Sequence, residues 1–287
     1  MKTYHTLFKV SILYIIIGIS LTAQAQKTKI LTVLHTNDVH SRIEPLDSKL
    51  PDTIAAGNGG FLRIASYVNQ MRKETPDLLM FDCGDFSQGT PYYNLFRGDT
   101  EISLMNVIGY DAGTIGNHEF DFGMENMARL FRQANFPIVC ANYDFTGTIL
   151  EDLVKPYVIL KRNGLKIGVF GLSVNPHGLV QGTNFEGVTY LDTYEVANET
   201  AALLKKKGCD VVICLSHLGF TASSKNPISD PGLIANTRNI DLVLGGHSHT
   251  LLEKPEVFKN LDGKEVYVSQ MGKSGIYVGR MDLTFRK

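Results

Sequence analysis

Short apolar runs alternate along this sequence with segments whose apolar residues recur at helical spacing, a rhythm that fits an α/β or mixed α/β domain. Residues 30–34, 78–81, 112–115 and 138–140 read as strands, and residues 61–73 as a helix with Ile64, Val68 and Met71 on one face. Further helices are expected over 101–108, 124–134 and 193–207. The second of these stops before Pro137, and the third is capped by Asp192 with Lys205, Lys206 and Lys207 as a solvated C-terminal turn. The runs 157–160 and 165–172 flank Asn163-Gly164, a dipeptide suited to the positive φ values of a tight hairpin, so at least one strand pair is antiparallel. Strands over 210–215, 240–244, 266–269 and 276–285 complete the set, with residues 221–230 as a surface loop. No repeat or long polar linker interrupts the pattern, and residues 26–287 are expected to form one domain.

The first 25 residues stand apart. Lys2 and Lys9 precede an apolar run over 11–21 that ends at Ala23-Gln24-Ala25, the pattern of a secretory signal peptide cleaved after Ala25. The run is shorter than the ~20 apolar residues a spanning helix needs. The chain is therefore expected to be exported, periplasmic or extracellular, with no stable membrane insertion after cleavage. Cleavage moves the formal net charge from -1 to about -3, which offers no nucleic-acid surface. Cys83, Cys140, Cys209 and Cys214 sit in apolar, strand-like contexts at spacings that match no metal or redox motif, and read as buried free thiols.

The chemistry is carried by histidines at the ends of predicted strands, where sites are built. They are His40 in Asn37-Asp38-Val39-His40, His118 in Gly116-Asn117-His118-Glu119-Phe120-Asp121, His217 in Ser216-His217-Leu218-Gly219, and His247 and His249 in Gly245-Gly246-His247-Ser248-His249. Residues two apart on an extended chain project to the same side, so Asp38 and His40 can converge on one cation and His247 and His249 can reach into one site. Asp85 in Cys83-Gly84-Asp85 adds a second carboxylate. With Asn117 and His217 this makes seven candidate ligands and leaves His118 as a possible acid. Imidazole, carboxylate and amide oxygen without thiolate suit Zn, Mn, Fe, Co or Ni. There is no G-x-S-x-G elbow, and Gly272-Lys273-Ser274 lacks the first glycine of a P-loop and reads as a Gly-rich turn. His35 reads as strand packing and His177 as a loop residue.

These motifs, together with His35-Thr36 ahead of Asn37 and with Gly59-Gly60-Phe61-Leu62-Arg63, resemble the calcineurin-like metallophosphoesterases, in particular the 5'-nucleotidase / UDP-sugar hydrolase branch. The resemblance implies a four-layer αββα sandwich with a two-metal site at the strand ends. Carried over position by position, it implies that Asp38, His40, Asp85 and His249 hold one divalent metal, and Asp85, Asn117, His217 and His247 the other. Asp85 is then the bridging carboxylate, His118 the catalytic histidine and Asp121 the carboxylate that orients it. The expected activity is hydrolysis of a small-molecule phosphate monoester, most simply a 5'-nucleotide, with Zn, Mn, Fe or Co as the pair of ions. A phosphodiesterase for cyclic nucleotides or nucleotide sugars on the same site is the nearest alternative, and a non-catalytic binding module with the same fold a more distant one. The branch continues into a C-terminal domain that grips the nucleoside, whereas this sequence stops at Lys287. A separately encoded C-terminal nucleotide-recognition domain is therefore a possible partner.

Overall fold

The computed structural model describes residues 28–224 and 226–286, so the expected signal peptide over residues 1–25 lies outside the described residues. In chain order the elements begin with β1 (Thr28–Thr36), α1 (Phe61–Glu74), β2 (Leu79–Asp82), α2 (Pro91–Phe96), α3 (Asp99–Ile108) and β3 (Ala112–Gly113). A single 3-10 turn, His118–Phe120, precedes α4 (Gly123–Phe131), β4 (Ile138–Val139), β5 (Tyr143–Asp144) and β6 (Val154–Lys155). The hairpin of β7 (Tyr157–Arg162) and β8 (Leu165–Ser173) follows, then β9 (Thr189–Tyr190), α5 (Thr193–Lys206), β10 (Val211–His217) and α6 (Asp230–Ala235). The chain ends in β11 (Leu242–Leu244), β12 (Glu256–Lys259), β13 (Glu265–Ser269) and β14 (Gly279–Arg286).

Two six-stranded sheets form, in the orders β14-β1-β2-β3-β4-β6 and β12-β13-β11-β10-β8-β7, beside a small β5-β9 ribbon. Strands β1, β2, β3, β4 and β6 run parallel with β14 antiparallel at the edge. In the second sheet β8, β10, β11 and β13 are parallel, with β7 and β12 as antiparallel edges. Side-chain alternation explains why the central strands are apolar at nearly every position. Leu31, Val33, Leu79, Phe81, Ile213 and Leu215 fill the space between the sheets. Their neighbours Leu34 and Met80 turn outward beneath α1, α3 and α4, and Val212 and Cys214 turn outward beneath α5 and α6. A strand buried on both faces must be apolar at successive residues. The result is the αββα four-layer sandwich, with both sheets inside.

The expected boundaries hold to within a few residues for the long elements. Asp192 accepts from the Glu195 amide at 2.9 Å as the cap of α5. Asn163 (φ 49°) and Gly164 (φ 63°) make the hairpin turn. All four cysteines are free and buried. The surface-loop reading of residues 221–230 is corrected at its end: Asn226, Ser229 and Asp230 are buried, and Asp230 opens α6, whose amide at Gly232 bonds the Ser229 hydroxyl. Pro231 at the first turn fixes φ for the helix but reads locally as a loop signal. Among the described residues no helix is long and apolar enough to cross a membrane.

Candidate metal centre

The loops that leave the carboxyl ends of β1, β2 and β3 in one sheet and of β10 and β11 in the other meet at one edge of the sandwich, the usual position for a site in parallel sheets. Asp38 and His40 follow β1, Asp85 follows β2, Asn117 and His118 follow β3, His217 ends β10, and His247 and His249 follow β11. Two clusters result. In the first, His249 Nε2 lies 3.3 Å and His40 Nε2 3.8 Å from Asp38 Oδ1, and the two ring nitrogens are 2.9 Å apart. In the second, His217 Nε2 lies 3.1 Å from Asp85 Oδ2, and donor atoms of Asp85, His217 and His247 all lie within 4.8 Å of one another. Asn117 Oδ1 joins the second cluster at 3.0 Å from His247 Nδ1. Asp38 ties the clusters together by accepting from the His247 amide at 2.9 Å.

His118 stands beside both. Its amide donates to Asp85 Oδ1 at 2.9 Å, its ring meets that of His40 edge to face with centroids 5.4 Å apart, and its Nδ1 is 2.9 Å from Asp121 Oδ2. All nine residues singled out in the sequence thus lie in one connected cluster. His35 is buried against the Ser269 hydroxyl at 3.0 Å, and His177 sits in the β8–β9 loop edge-on to Phe185.

The donor chemistry fits a pair of cations. His217 donates through Nδ1 to the Cys83 carbonyl at 2.7 Å, so a neutral ring presents the lone pair of Nε2 to Asp85. That Nε2 is fully buried and has no well-formed hydrogen bond. His40 similarly places Nδ1 at 3.3 Å from the Ser87 carbonyl and turns Nε2 toward Nε2 of His249. Lone pairs facing one another and facing carboxylates call for positive charge between them. Protons supply that charge in a metal-free chain. Burial opposes charge on His217, but the attraction of the Asp85 carboxylate, with Asp38 and the Cys83 carbonyl, lifts it to about 10. Burial alone would raise Asp85, yet His217, His118 and His40 hold its carboxyl well below the usual range. Burial and the positive His217 push His247 down to about 4.

Five of the seven candidate ligands adopt left-handed backbone conformations: Asp38 (φ 50°), His40 (φ 50°), Asp85 (φ 54°), His247 (φ 74°) and His249 (φ 54°). Each such residue costs on the order of 1–3 kcal/mol and persists only where its surroundings hold it. Buried side chains that carried no assigned role in the sequence do the holding. Asn37 Nδ2 bonds Asp38 Oδ2 at 2.6 Å and the Gly272 carbonyl at 2.7 Å, while its Oδ1 accepts from the Met271 amide at 2.8 Å. Glu119 accepts from the amides of Gly116 at 2.7 Å, Asp85 at 2.9 Å and Ser87 at 3.1 Å, joining the loops after β2 and β3. Burial and the neighbouring Asp85 carboxylate lift Glu119 to about 7 against the pull of those amides. Close approach also demands glycine: a Cβ on Gly84 would stand 2.7 Å from the Gly116 nitrogen, and one on Gly246 would stand 2.7 Å from the Cys83 carbonyl oxygen. Asn37 and Glu119 lie inside the sequence motifs, but only the fold says which amides they reach.

Behind β10, Asp230 accepts from the Ser216 hydroxyl at 2.5 Å while its other oxygen is buried without a partner. Burial lifts this carboxyl to about 7, against the smaller opposing pulls of Ser216 and His217. Its folded value lies above the unfolded one. The linked stability is therefore fully present below about pH 4 and is lost as pH rises toward 7, by about 4 kcal/mol over that interval. Asp230→Asn is expected to gain on the wild type progressively between pH 4 and pH 7 and to keep that gain above it, in urea denaturation with chelator present. A stability difference independent of pH would remove the charge of Asp230 from the account.

Comparison with known proteins agrees with this geometry. The family model described as calcineurin-like phosphoesterase matches residues 31–251. A 5'-nucleotidase of Bos taurus is 32% identical over 276 residues, covering 89% of this chain and 46% of the relative. The chain thus spans about half the length of the curated relatives it matches. The crystal structure of a 5'-nucleotidase precursor from Thermus thermophilus superposes with a TM-score of 0.80 at 32% identity, over 90% of this chain and 52% of that one. That of the calcineurin-like phosphoesterase YfkN from Bacillus subtilis gives 0.75 at 30% identity, over 91% and 86%. A double-sheet scaffold with two histidine-carboxylate clusters at its strand ends, matched along most of its length, places this chain in the calcineurin-like phosphoesterase family of metal-dependent phosphoester hydrolases.

Proposed function

We propose that residues 26–287 form an exported two-metal phosphomonoesterase domain that acts on nucleoside 5'-monophosphates. The observation that carries the reading is the placement of the His118–Asp121 pair beside two converging donor clusters, one of Asp38, His40 and His249 and one of Asp85, His217 and His247. Asp38, His40 and His249 would hold one divalent ion, Asn117, His217 and His247 the other, and Asp85 would serve both. Zn, Mn, Fe or Co suits this imidazole-carboxylate set. When bound, the two ions supply Lewis acidity toward the phosphate oxygens and lower the pKa of a coordinated water. The chain's own residues do the rest. Asp121 fixes the His118 tautomer through Nδ1, which leaves Nε2 as the atom that gives a proton or hydrogen bond to the departing oxygen. In the metal-free chain burial depresses the basicity of His118, but the Asp121 hydrogen bond and the charges of Asp85 and Glu119 outweigh it and raise its pKa.

The 5'-nucleotidases among the relatives support a nucleotide substrate. The leader-like residues 1–25 support export to the periplasm or beyond. A second reading, a phosphodiesterase for cyclic nucleotides or nucleotide sugars, is tested beside it because the Bacillus subtilis relative of 30% identity named as a trifunctional nucleotide phosphoesterase carries a name broader than monoester hydrolysis. The test follows inorganic phosphate and nucleotide products together, because opening a cyclic or sugar-linked diester alone frees no inorganic phosphate, with the purified chain reconstituted in turn with Mn, Zn and Co and given AMP, UMP, cyclic AMP and a UDP-sugar. Release from the monophosphates above all others is expected. Cleavage of only the cyclic or sugar-linked compounds would replace the first reading with the second, and two bound ions without cleavage of any would make the chain a binding module.

A further inference from the structure

Gln270 is the first residue after β13, two residues ahead of the Gly-rich turn that opens at Gly272, and it is fully buried. Its side-chain amide reaches back twenty or more residues to the loop after β11. Nε2 donates to the Gly246 carbonyl at 2.9 Å, and Oε1 accepts from the Thr250 amide at 2.6 Å and from the Ser248 hydroxyl at 3.0 Å. The three bonded positions, 246, 248 and 250, alternate with the two histidines, 247 and 249. One side chain thereby grips the backbone before His247, the residue between the histidines, and the backbone after His249. The Ser248 hydroxyl passes the restraint on by accepting from the Phe220 amide at 2.9 Å, which anchors the segment to the loop after β10. Gln270 is fixed in turn through its own carbonyl, which accepts from the Leu252 amide at 2.9 Å.

The gripped segment needs such a restraint. Both histidines are left-handed, at φ 74° and φ 54°, conformations a free loop of L-residues leaves readily. They point into different donor clusters, His247 toward Asp85 and His217 and His249 toward Asp38 and His40. The span between them therefore helps set the separation of the two clusters. A side chain that presents one donor and one acceptor is required. An ionised glutamate has no donor for the buried Gly246 carbonyl, and an apolar residue of the same length leaves that carbonyl and the half-buried Thr250 amide without these partners.

We propose that Gln270 is a positioning residue of the metal centre, holding His247 and His249 at the spacing that lets each serve its own ion. The proposal rests on the reading of the two clusters as metal sites. It assigns Gln270 no contact with substrate, from which its burial separates it.

The experiment uses the whole chain loaded with Co(II), whose visible absorption reports ligand geometry, together with chelator competition for both ions and with kinetics. Gln270→Met is expected to weaken binding of both ions by about ten- to a hundredfold, the range found for outer partners of metal ligands. It is also expected to shift the Co(II) bands and to lower kcat with little change in KM. Ser248→Ala, which removes one of the three bonds, should move affinity and spectrum in the same direction by less, and decides the matter if Gln270→Met does not fold. A folded Gln270→Met, or failing that a folded Ser248→Ala, with wild-type affinities and spectrum would overturn the proposal, since a purely structural role lowers only the melting temperature. Wild-type chain that binds no Co(II) would overturn it together with the metal-site reading. Wild-type chain that binds two ions but cleaves no phosphomonoester would overturn the proposed function alone, and altered affinities in Gln270→Met would still support the positioning role.

Discussion

Asp85→Asn is expected to reduce phosphate release from a nucleoside monophosphate by at least about a thousandfold and to lower the bound metal from two ions per chain to one or fewer. The effect follows from the number of tasks the carboxylate performs. It is buried to 2% exposure, places Oδ2 at 3.1 Å from His217 Nε2, and accepts the His118 amide on Oδ1 at 2.9 Å. Asparagine preserves the volume and can preserve the bond from the His118 amide, so the change tests charge rather than packing. Without that charge, the candidate ligands of two dications would include one carboxylate, Asp38 in the first cluster, and none in the second. Loss of an outer partner costs about ten- to a hundredfold in affinity, and loss of a shared inner ligand exceeds it. A thousandfold in rate corresponds to about 4 kcal/mol of transition-state stabilisation. Elemental analysis of the purified variant beside a phosphate assay decides the matter. Two ions per chain and activity within tenfold of the wild type would move the bridging role to another residue.

What the sequence made legible, and what it did not, divides along a physical line. β1, β2 and β10 are buried on both faces, so their continuous apolar runs announce them wherever the chain is placed. β5, β6 and β9 are strands of only two residues each, defined by the partners they pair with rather than by any local pattern, whereas β4 is announced by the apolar run over 138–140. β12, Glu-Val-Phe-Lys at an exposed edge, carries charges at both ends and reads as a loop for the same reason that it survives as an edge strand. The six-residue helices α2 and α6 are too short to display a helical period and begin near Pro91 and Pro231, residues that also mark loops.

The candidate site shows the same division. Histidine and aspartate at strand ends are chemically conspicuous, and each of the nine residues picked out in the sequence lies in the cluster. The residues that hold the cluster in shape are not conspicuous, because an amide or carboxyl side chain acquires its role only from the backbone groups it meets. Glu119 is an acid in a motif until the amides of Gly116, Asp85 and Ser87 are seen to converge on it. Left-handed backbone at Asp38, His40, Asp85, His247 and His249 was equally hidden, since no glycine or asparagine marks those positions.

His118→Ala is expected to retain both ions while kcat for a nucleoside monophosphate falls by about a hundred- to ten-thousandfold, the range for a positioned general acid. Retention follows because the hydrogen bond His118 gives the donor clusters comes from its backbone amide to Asp85, which alanine keeps, while its ring meets only the edge of the His40 ring. Loss follows because the ring is the part that is exposed for chemistry: its side chain is 32% accessible, and Asp121, 2.9 Å away at Nδ1, leaves Nε2 free for substrate. The size of the loss should depend on the leaving group. An alkoxide such as the nucleoside 5'-oxygen departs poorly without a proton, whereas an activated aryl oxide carries its own charge away. An acid role therefore predicts a loss several tens of times smaller with an activated aryl phosphate than with the nucleotide. Both kcat and kcat/KM should fall for the nucleotide, since the missing interaction is one made in the transition state. Equal losses for both substrates would assign His118 to phosphate binding instead of proton donation. Unchanged turnover with both would remove it from the mechanism altogether, leaving Asp121 to orient a ring with no part in the reaction.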